Sequence, residues 1–415
     1  MGRTSKILAL AITMSIFSNK HLLLGITGSI AAYKAADLAS KLTQEGAQVD
    51  VILTPAAEKF VTPLTFQSVT GRKTFTEADL WGGEAHILHV GLGHSADLLV
   101  IAPCTANTIA KLAHGIADNL LTITALAACC PILIAPAMDV GMFSHPATQE
   151  NLKILVERGA CIAGPAEGRM ASGLSGKGRM IEPAELLGHI RLVLGKNGKL
   201  AGKKVVVTAG GTQEPLDPVR VLTNRSSGKQ GYALAQAAID AGAQVTLISA
   251  PTGLIPPVGA RLVEVRTAQE MLEAVLAESA AAEALLMAAA PADFRPKTVA
   301  VDKLKRRDGI PQIELEAAPD ILETVAGLGS GEKRPRVVVG FAAESRDLLE
   351  NAAAKLSSKK LDMIAANDIT ASDAGFGADT NHVTLIYADG RKEALPLMSK
   401  TEVAEAIIEH IAALW

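Results

Sequence analysis

Side chains able to do chemistry gather in a few short stretches of this sequence. The first is Gly25-Ile26-Thr27-Gly28-Ser29-Ile30-Ala31-Ala32-Tyr33-Lys34, small and hydroxyl residues that follow an apolar run. Such a turn at the end of a strand lets backbone N–H groups and a helix N-terminus meet a phosphate. It lacks the GxGxxG spacing of dinucleotide sites, so a mononucleotide fits it better. Ala102-Pro103-Cys104-Thr105-Ala106-Asn107 and Ala135-Pro136-Ala137-Met138-Asp139 are two more small-residue turns, each after an apolar run. Two histidines, His86 and His89, precede the run Asp97–Ala102, and a glycine-rich stretch carries Ser172, Arg179 and Met180. In the second half, Thr208–Arg220 leads to Asn224-Arg225-Ser226-Ser227-Gly228-Lys229-Gln230-Gly231. Its hydroxyls, glycine and helix start suit a phosphate, although the GxxxxGK[ST] spacing is absent. Lys355 and Lys359 are one helical turn apart and share a face. By itself such a pair reads as a solvated helix face.

These stretches need elements to hold them. Short apolar runs alternate with helical segments, which predicts parallel α/β folding. In the first half, strands are predicted at His21–Thr27, Gln48–Leu53, Asp97–Ala102 and Pro131–Pro136. Helices fit Ile30–Gln44, Ala106–His114, Asn119–Cys129, Pro146–Arg158 and Pro183–Leu194. Gly164–Arg179 fits neither period and reads as a mobile loop. After the polar segment 195–202 the pattern restarts, with strands at Lys203–Thr208, Gln244–Ser249, Ala284–Ala290, Arg336–Phe341, Leu361–Ala366 and His382–Tyr387. Helices Gly228–Ala241 and Thr401–Leu414 accompany them. The expected architecture is two doubly wound, Rossmann-like α/β domains, at 20–194 and 203–415. All the turns named above then fall at the carboxyl ends of strands, where open parallel sheets bind ligands. Residues 1–19 read as an extension, with translation starting at Met14. The apolar stretch Ile7–Ile16 after Arg3 and Lys6 resembles a weak signal core, but no A-x-A site follows it.

Composition narrows the classes further. Over 415 residues, 40 Lys+Arg against 43 Asp+Glu give a net charge of −3, which argues against a nucleic-acid footprint. Hydrophobics at 49% suffice for real cores, and aromatics at 3% leave no stacking platform for single strands. Cys104, Cys129, Cys130 and Cys161 show no CxxC spacing, so they read as reduced thiols packed like small hydrophobes. No long apolar segment is found, and a cytoplasmic protein with no membrane partner is expected.

His89-Val90-Gly91-Leu92-Gly93-His94-Ser95-Ala96-Asp97 resembles the HxxLxxxAD segment of flavin-dependent cysteine decarboxylases. That register selects His89 and leaves His86 as a decoy. Gly25–Lys34, Thr54–Leu64, Gly115–Leu121, Pro136–Met138 and Ser172–Met180 extend the likeness. The second half resembles phosphopantothenate–cysteine ligases at Thr208–Gly231, Ala288–Phe294, Asp302–Lys305, Pro319–Leu322, Val339–Glu344 and Ala366–Asp368. Nearly the whole chain thus resembles the bacterial bifunctional phosphopantothenoylcysteine decarboxylase/phosphopantothenate–cysteine ligases of coenzyme A biosynthesis.

The resemblance implies an FMN-binding domain followed by a ligase domain. Gly28, Ser29, Thr54, Thr105, Ala106 and Asn107 would hold FMN; Met138, Asp139, Arg179 and Met180 would meet substrate; His89 would be catalytic. Two positions depart from the family: Asp139 stands where Asn is usual, and Ser172 stands where a proton-donating Cys is usual. A thiol titrates near ~8.5, and an alcohol is a far weaker acid. In the ligase, Met287, Ala288, Ala289, Asp293, Pro319, Asp320, Ile321, Leu322, Phe341, Lys355 and Lys359 would bind the nucleotide. Lys303 would activate it, and Asn224 would handle an acyl-cytidylate. The implied partners are 4′-phosphopantothenate, cysteine, CTP and Mg2+, with no metal ligand named. Trimeric flavin domains and dimeric ligase domains in a homo-oligomer are implied too. The weighed alternatives are an active ligase beside an impaired decarboxylase, and a flavin-binding regulatory protein.

Overall fold

The computed structural model describes residues 15–81, 87–328, 334–344, 347–368 and 380–415. Residues 1–14 and the decoy His86 lie outside them. The chain forms two compact units, Met1–Gly195 and Lys196–Trp415.

The first unit carries six parallel strands in the order β3-β2-β1-β4-β5-β6. They are β1 His21–Ile26, β2 Gln48–Leu53, β3 Thr74–Phe75, β4 Leu98–Cys104, β5 Ile132–Pro136 and β6 Cys161–Ile162. Helices α1 Ala32–Gln44, α2 Pro63–Thr70, α3 Leu88–Ser95, α4 Ala106–His114, α5 Leu120–Ala127, α6 Val140–Ser144, α7 Pro146–Glu157 and α8 Pro183–Gly195 connect and cover them. Strand order reverses between β1 and β4, so the ligand crevice belongs at their carboxyl ends. Cores lie on both faces of the sheet, as β1 and β4 being apolar on both sides requires. Several motif residues are caps. Asn119 forms a capping box with Thr122 at the start of α5, Thr105 caps α4, and Gly115 ends α4 at φ 69°. Gly25 is required by packing, because a Cβ there would sit 2.4 Å from Leu121 Cδ1.

Two expectations are corrected. Phe17, placed in the extension, is fully buried in the core beside β1, and Arg191 stacks on its ring. The expected mobile loop Gly164–Arg179 is an antiparallel hairpin, β7 Ala166–Arg169 with β8 Ser175–Arg179. Glycine hides the strand period there for a packing reason. A Cβ on Gly176 would strike Val140, and one on Gly178 would lie 2.4 Å from Met138 O. The hairpin therefore passes too close to the turn after β5 for side chains.

The second unit carries eight strands in the order β13-β12-β9-β14-β17-β18-β20-β21. They are β9 Lys204–Ala209, β12 Gln244–Ser249, β13 Arg261–Glu264, β14 Ala284–Met287, β17 Val337–Glu344, β18 Met363–Asp368, β20 Val383–Tyr387 and β21 Lys392–Ala394. All pairs are parallel as far as β18, and β20 and β21 join antiparallel. Order reverses between β9 and β14. Helices α9 Lys229–Asp240, α10 Ala268–Ser279, α11 Ile321–Gly327, α12 Leu348–Ser358 and α13 Lys400–Ala412 cover the sheet. Gly231 lets α9 lie on β9, since a Cβ there would meet Ala209 Cβ at 2.6 Å. Short pairs stand apart from the sheet: β10 Gln213–Asp217 with β11 Arg220–Thr223, β15 Phe294–Pro296 with β16 Leu315–Ala317, and β19 Thr380–Asn381 with β22 Met398–Ser399. Among the described residues, no helix is long and apolar enough to cross a membrane.

Candidate functional sites at two sheet switch points

In the first unit, hydrogen bonds stitch the turns after β1, β2, β4 and β5 into one edge. Thr27 Oγ1 donates to Pro103 O at 2.7 Å and accepts from Thr105 N at 3.0 Å. Thr54 Oγ1 donates to Ile26 O and accepts from Ala57 N. Ala137 N donates to Cys104 O, and Met138 N to Gly178 O. This edge brings Gly28, Ser29, Thr105, Ala106, Asn107, Met138 and Asp139 onto adjoining turns. The amides of Ala106 and Asn107 lie in the first turn of α4, where no intrahelical acceptor exists. Thr54 has its hydroxyl committed to backbone groups on both sides, so it shapes the turn. His89 lies at the N-terminal end of α3. That helix ends at the amino end of the sheet, where Ser95 O meets the His21 ring at 3.0 Å. His89 Nδ1 is buried and has no hydrogen-bond partner.

Ser172 and Asp139 meet. Ser172, in the turn of the β7–β8 hairpin, donates from Oγ to Asp139 Oδ2 at 2.5 Å. Asp139 Oδ1 accepts from Gly141 N at 3.1 Å. The Ser172 hydroxyl and the Gly141 amide hold the Asp139 carboxyl below its usual range. Two other residues are placed differently from expectation. Met180 is 2% exposed and belongs to the core, so its side chain is not at the edge. Arg179 is half-exposed and its guanidinium reaches Glu182. Lys34 is a residue the sequence reading missed as a fastener. Its buried Nζ donates to Met180 O at 3.1 Å and to Glu182 Oε1 at 2.6 Å, fixing the hairpin base to α1.

In the second unit, a cavity of about 570 Å³ opens at the carboxyl ends of β9, β14 and β17. Asn224, Met287, Ala288, Ala289, Asp293, Pro319, Asp320, Ile321, Leu322, Phe341 and Lys355 all line it, as do Ser226–Gln230. The turns interlock here too: Ala289 N donates to Thr208 Oγ1 and Ala292 N to Thr212 Oγ1. Asn224 Nδ2 donates to Ala290 O and Pro291 O. Lys355 Nζ donates to Phe341 O at 3.0 Å. Lys359 is not brought to the cavity. Its ammonium is held by Asp320 at 2.8 Å and Glu323 at 2.9 Å. Lys303 also lies outside, exposed on the segment between β15 and β16. Asp217 anchors that segment. Its buried carboxylate accepts from Val219 N, Arg220 N and Leu304 N.

Three further lining residues escaped the sequence reading: Gln230 as a side chain, Asn381 and Lys400. Gln230 Nε2 donates to the Lys400 carbonyl, so Gln230 Oε1 must face Asn381 Nδ2, at 3.1 Å. That relay leaves Asn381 Oδ1, like Asn367 Oδ1, as a buried acceptor without a partner. A helix-start lysine and an asparagine in a short strand carry no spacing signal of their own.

A family model described as Flavoprotein matches residues 13–194. A second, described as DNA/pantothenate metabolism flavoprotein C-terminal domain, matches residues 200–414. The chain is 47% identical over 402 residues to "Coenzyme A biosynthesis bifunctional protein CoaBC" of Bacillus subtilis (strain 168), covering 96% of this chain and 98% of that protein. The chain belongs to the coenzyme A biosynthesis bifunctional protein family. A relative of the same name from Vibrio cholerae is 45% identical over 400 residues, covering 96% and 99% of the two chains. A solved C-terminal domain of a family member is 41% identical, covering 52% of this chain and 97% of its own, with a TM-score of 0.44. As a family member the chain is a bifunctional enzyme of coenzyme A biosynthesis, with a flavoprotein unit followed by the second enzymatic unit.

Proposed function

We propose that the second unit joins 4′-phosphopantothenate to cysteine with CTP and Mg2+, and that the first unit decarboxylates the product to 4′-phosphopantetheine with FMN. The observation that carries this reading is the coincidence of motif and cavity. Most family-like residues of the second unit line one cavity where its strand order reverses, and most of those in the first unit lie on adjoining turns at its own reversal, with Lys303, Lys359 and the Met180 side chain outside.

The residues at the first edge fit FMN. Gly28, Ser29 and the α4 amides suit its phosphate, and His89 Nδ1 is a buried ring nitrogen with no partner in the chain. When bound, the flavin supplies reversible hydride acceptance, which an amino-acid side chain lacks. His89 orients the cysteinyl end of the substrate and is placed to exchange a proton with it. Thr27 fixes the spacing of the two phosphate-facing turns. The hairpin holding Ser172 closes the edge and limits water there.

In the ligase, a carboxylate and an amine do not condense in water without a leaving group. The start of α9, with Ser226 and Ser227, holds phosphate oxygens against a positive dipole end. Lys355 neutralises charge developing on the phosphates. Asn224, whose Nδ2 is braced on two backbone carbonyls, presents its amide oxygen toward the activated acyl group. Lys303 acts from the segment that Asp217 anchors. Among the described residues no cluster of three His, Cys, Asp or Glu side chains forms a metal site. We assign Mg2+ to the triphosphate and its waters.

We assign assembly into trimeric flavin units and dimeric ligase units from the family resemblance; exposed apolar side chains offer surfaces for contacts between copies. Ile30, Tyr33, Phe60 and Leu64 crowd the first edge; Val301, Ile310, Leu315 and Phe294 crowd the second unit's hairpins.

The test is a mass-resolved time course with the FMN-loaded protein, 4′-phosphopantothenate, cysteine, CTP and Mg2+. Phosphopantothenoylcysteine is expected first, followed by 4′-phosphopantetheine. Absence of any cysteine adduct would remove the ligase assignment.

A further inference from the structure

The two departures from the family pattern are one feature. Ser172 and Asp139 come from separate segments, a hairpin turn and the turn after β5, and their side chains share a 2.5 Å hydrogen bond. The geometry around them is built. Met138 N bonds Gly178 O, and the absence of a side chain at Gly178 allows that approach. Ser172 Oγ also accepts from Leu174 N at 3.4 Å, which turns its proton toward Asp139. An alcohol alone is a poor acid, and an amide at the second position could not carry a proton. A carboxylate bonded to the alcohol does both jobs.

We propose that Ser172 and Asp139 form a proton-carrying pair, with Ser172 Oγ meeting the substrate and Asp139 storing the proton between steps. This rests on the decarboxylase reading above. With FMN bound, which would supply the hydride acceptor, oxidation of the cysteinyl CH2–SH to CH=S would remove a hydride from carbon and a proton from sulfur. The sulfur proton passes to Ser172 Oγ as the Oγ proton moves to Asp139 Oδ2. The C–COO− bond then breaks; its electron pair forms C=C, and C=S becomes C–S−. Asp139 returns its proton to Oγ while the Oγ proton adds to the carbon that lost CO2, and C=S reforms. The hydride returns to the thiocarbonyl carbon, and the resulting thiolate takes one proton from water. Two electrons leave and come back, CO2 departs, and one solvent proton enters. In the free protein Asp139 is a half-buried residue whose carboxyl is held as the anion by Ser172 and the Gly141 amide. A negatively charged substrate that excludes water disfavours that anion, so it takes a proton at the stage that requires it.

The test uses the FMN-loaded protein and phosphopantothenoylcysteine, with products resolved by mass and flavin followed by absorbance. The wild type should give the saturated thiol and end with oxidised flavin. Asp139→Asn should still release CO2 but accumulate the ethenethiol with bleached flavin, slowing saturated-thiol formation at least tenfold. Adding Ser172→Cys to Asp139→Asn should restore the saturated thiol. In flavin-free protein, carbon-13 NMR of labelled aspartate should show Ser172→Ala raising the Asp139 titration midpoint. Wild-type rates in Asp139→Asn alone, or an unmoved midpoint in Ser172→Ala, would overturn the pair. So would a wild type that stops at the ethenethiol, although the decarboxylase reading would then stand. A wild type that releases no CO2 would remove that reading itself.

Discussion

Gly178→Ala tests whether the hairpin must dock on the β5 turn for the first activity. The added Cβ would lie 2.4 Å from Met138 O, 3.0 Å from Met170 Sδ and 3.3 Å from the Asp139 carbonyl carbon. Two of these three are backbone atoms, so rotamer changes cannot relieve the contact and the two segments must part. Overpacking of this kind costs about 1–3 kcal/mol. Parting also breaks the hydrogen bond from Met138 N to Gly178 O, worth about 1 kcal/mol. Undocking the hairpin escapes both costs, so the docked state loses about 2–4 kcal/mol relative to the undocked one. At about 1.4 kcal/mol per decade, that is roughly thirtyfold to a thousandfold in the docked fraction. Decarboxylation of added phosphopantothenoylcysteine should fall toward that range if the docked state is only slightly favoured. Gly178 is buried two residues before the core residue Met180, so a modest fall in melting temperature should accompany the loss of activity. Ligation on the same chain serves as the internal control and should be unchanged. Unaltered decarboxylation by a folded Gly178→Ala protein would refute the claim that docking positions Ser172 and Asp139.

Lys355→Met should raise the KM for CTP about tenfold or more, as loss of a charge-assisted contact of about 1.5–3 kcal/mol implies. Lys359→Met should change it less than Lys355→Met does, because its ammonium is already held by Asp320 and Glu323; equal effects would contradict that placement. Asn381→Leu removes a buried acceptor that has no partner and also the bond from Asn381 Nδ2 to Gln230 Oε1, so the unliganded protein should melt slightly lower than wild type while its thermal stabilisation by CTP shrinks. Undiminished stabilisation by CTP would show that Asn381 does not meet the nucleotide. The hydrogen bond that His21 donates to the Asp50 carboxylate raises the pKa of His21, against the opposing effect of burial. The stabilisation from protonated His21 is therefore complete below the unfolded value near ~6.5 and fades as pH climbs through the raised folded value. The melting temperature should fall across that window in wild type and should fall less in Asp50→Asn; parallel curves would refute the coupling.

The doubly wound α/β class was legible because β1, β4, β9 and β14 are apolar on both faces and are followed by small-residue turns. Period and punctuation agree at those places. The short edge strands β3, β6, β13 and β21 were not legible, nor was the antiparallel direction of β20. The hairpin of β7 and β8 was not legible, because Gly168, Gly176 and Gly178 erase the alternation that marks a strand. Their reason is close approach to Arg179, Val140 and Met138, which are contacts across the fold. Phe17 was misplaced for a different cause. It follows directly on the apolar stretch Ile7–Ile16, which reads as part of an extension, and only the packed unit shows it buried. Within the second site, the motif residues lining the cavity were readable from their order. Lys355 and Lys359 were not separable, since helical spacing puts them on one face and only Asp320 and Glu323 distinguish their fates. The meeting of Ser172 with Asp139 was also invisible, because each departs from the family pattern in a different segment. Part of the likeness also proved to be scaffolding. Asn119 and Gly115 end or start helices, and Asp217 holds backbone amides.

The central claim is that one chain carries two separable activities at two switch points. The most direct measurement uses two lesions, His89→Asn in the first site and Asn224→Leu in the second, each assayed alone and then mixed in one tube. With 4′-phosphopantothenate, cysteine, CTP and Mg2+, the first protein should stop at phosphopantothenoylcysteine, and the second should make no cysteine adduct. The second should still decarboxylate added phosphopantothenoylcysteine, and the mixture should recover 4′-phosphopantetheine. Loss of both activities from either single lesion, with no recovery on mixing, would contradict the account.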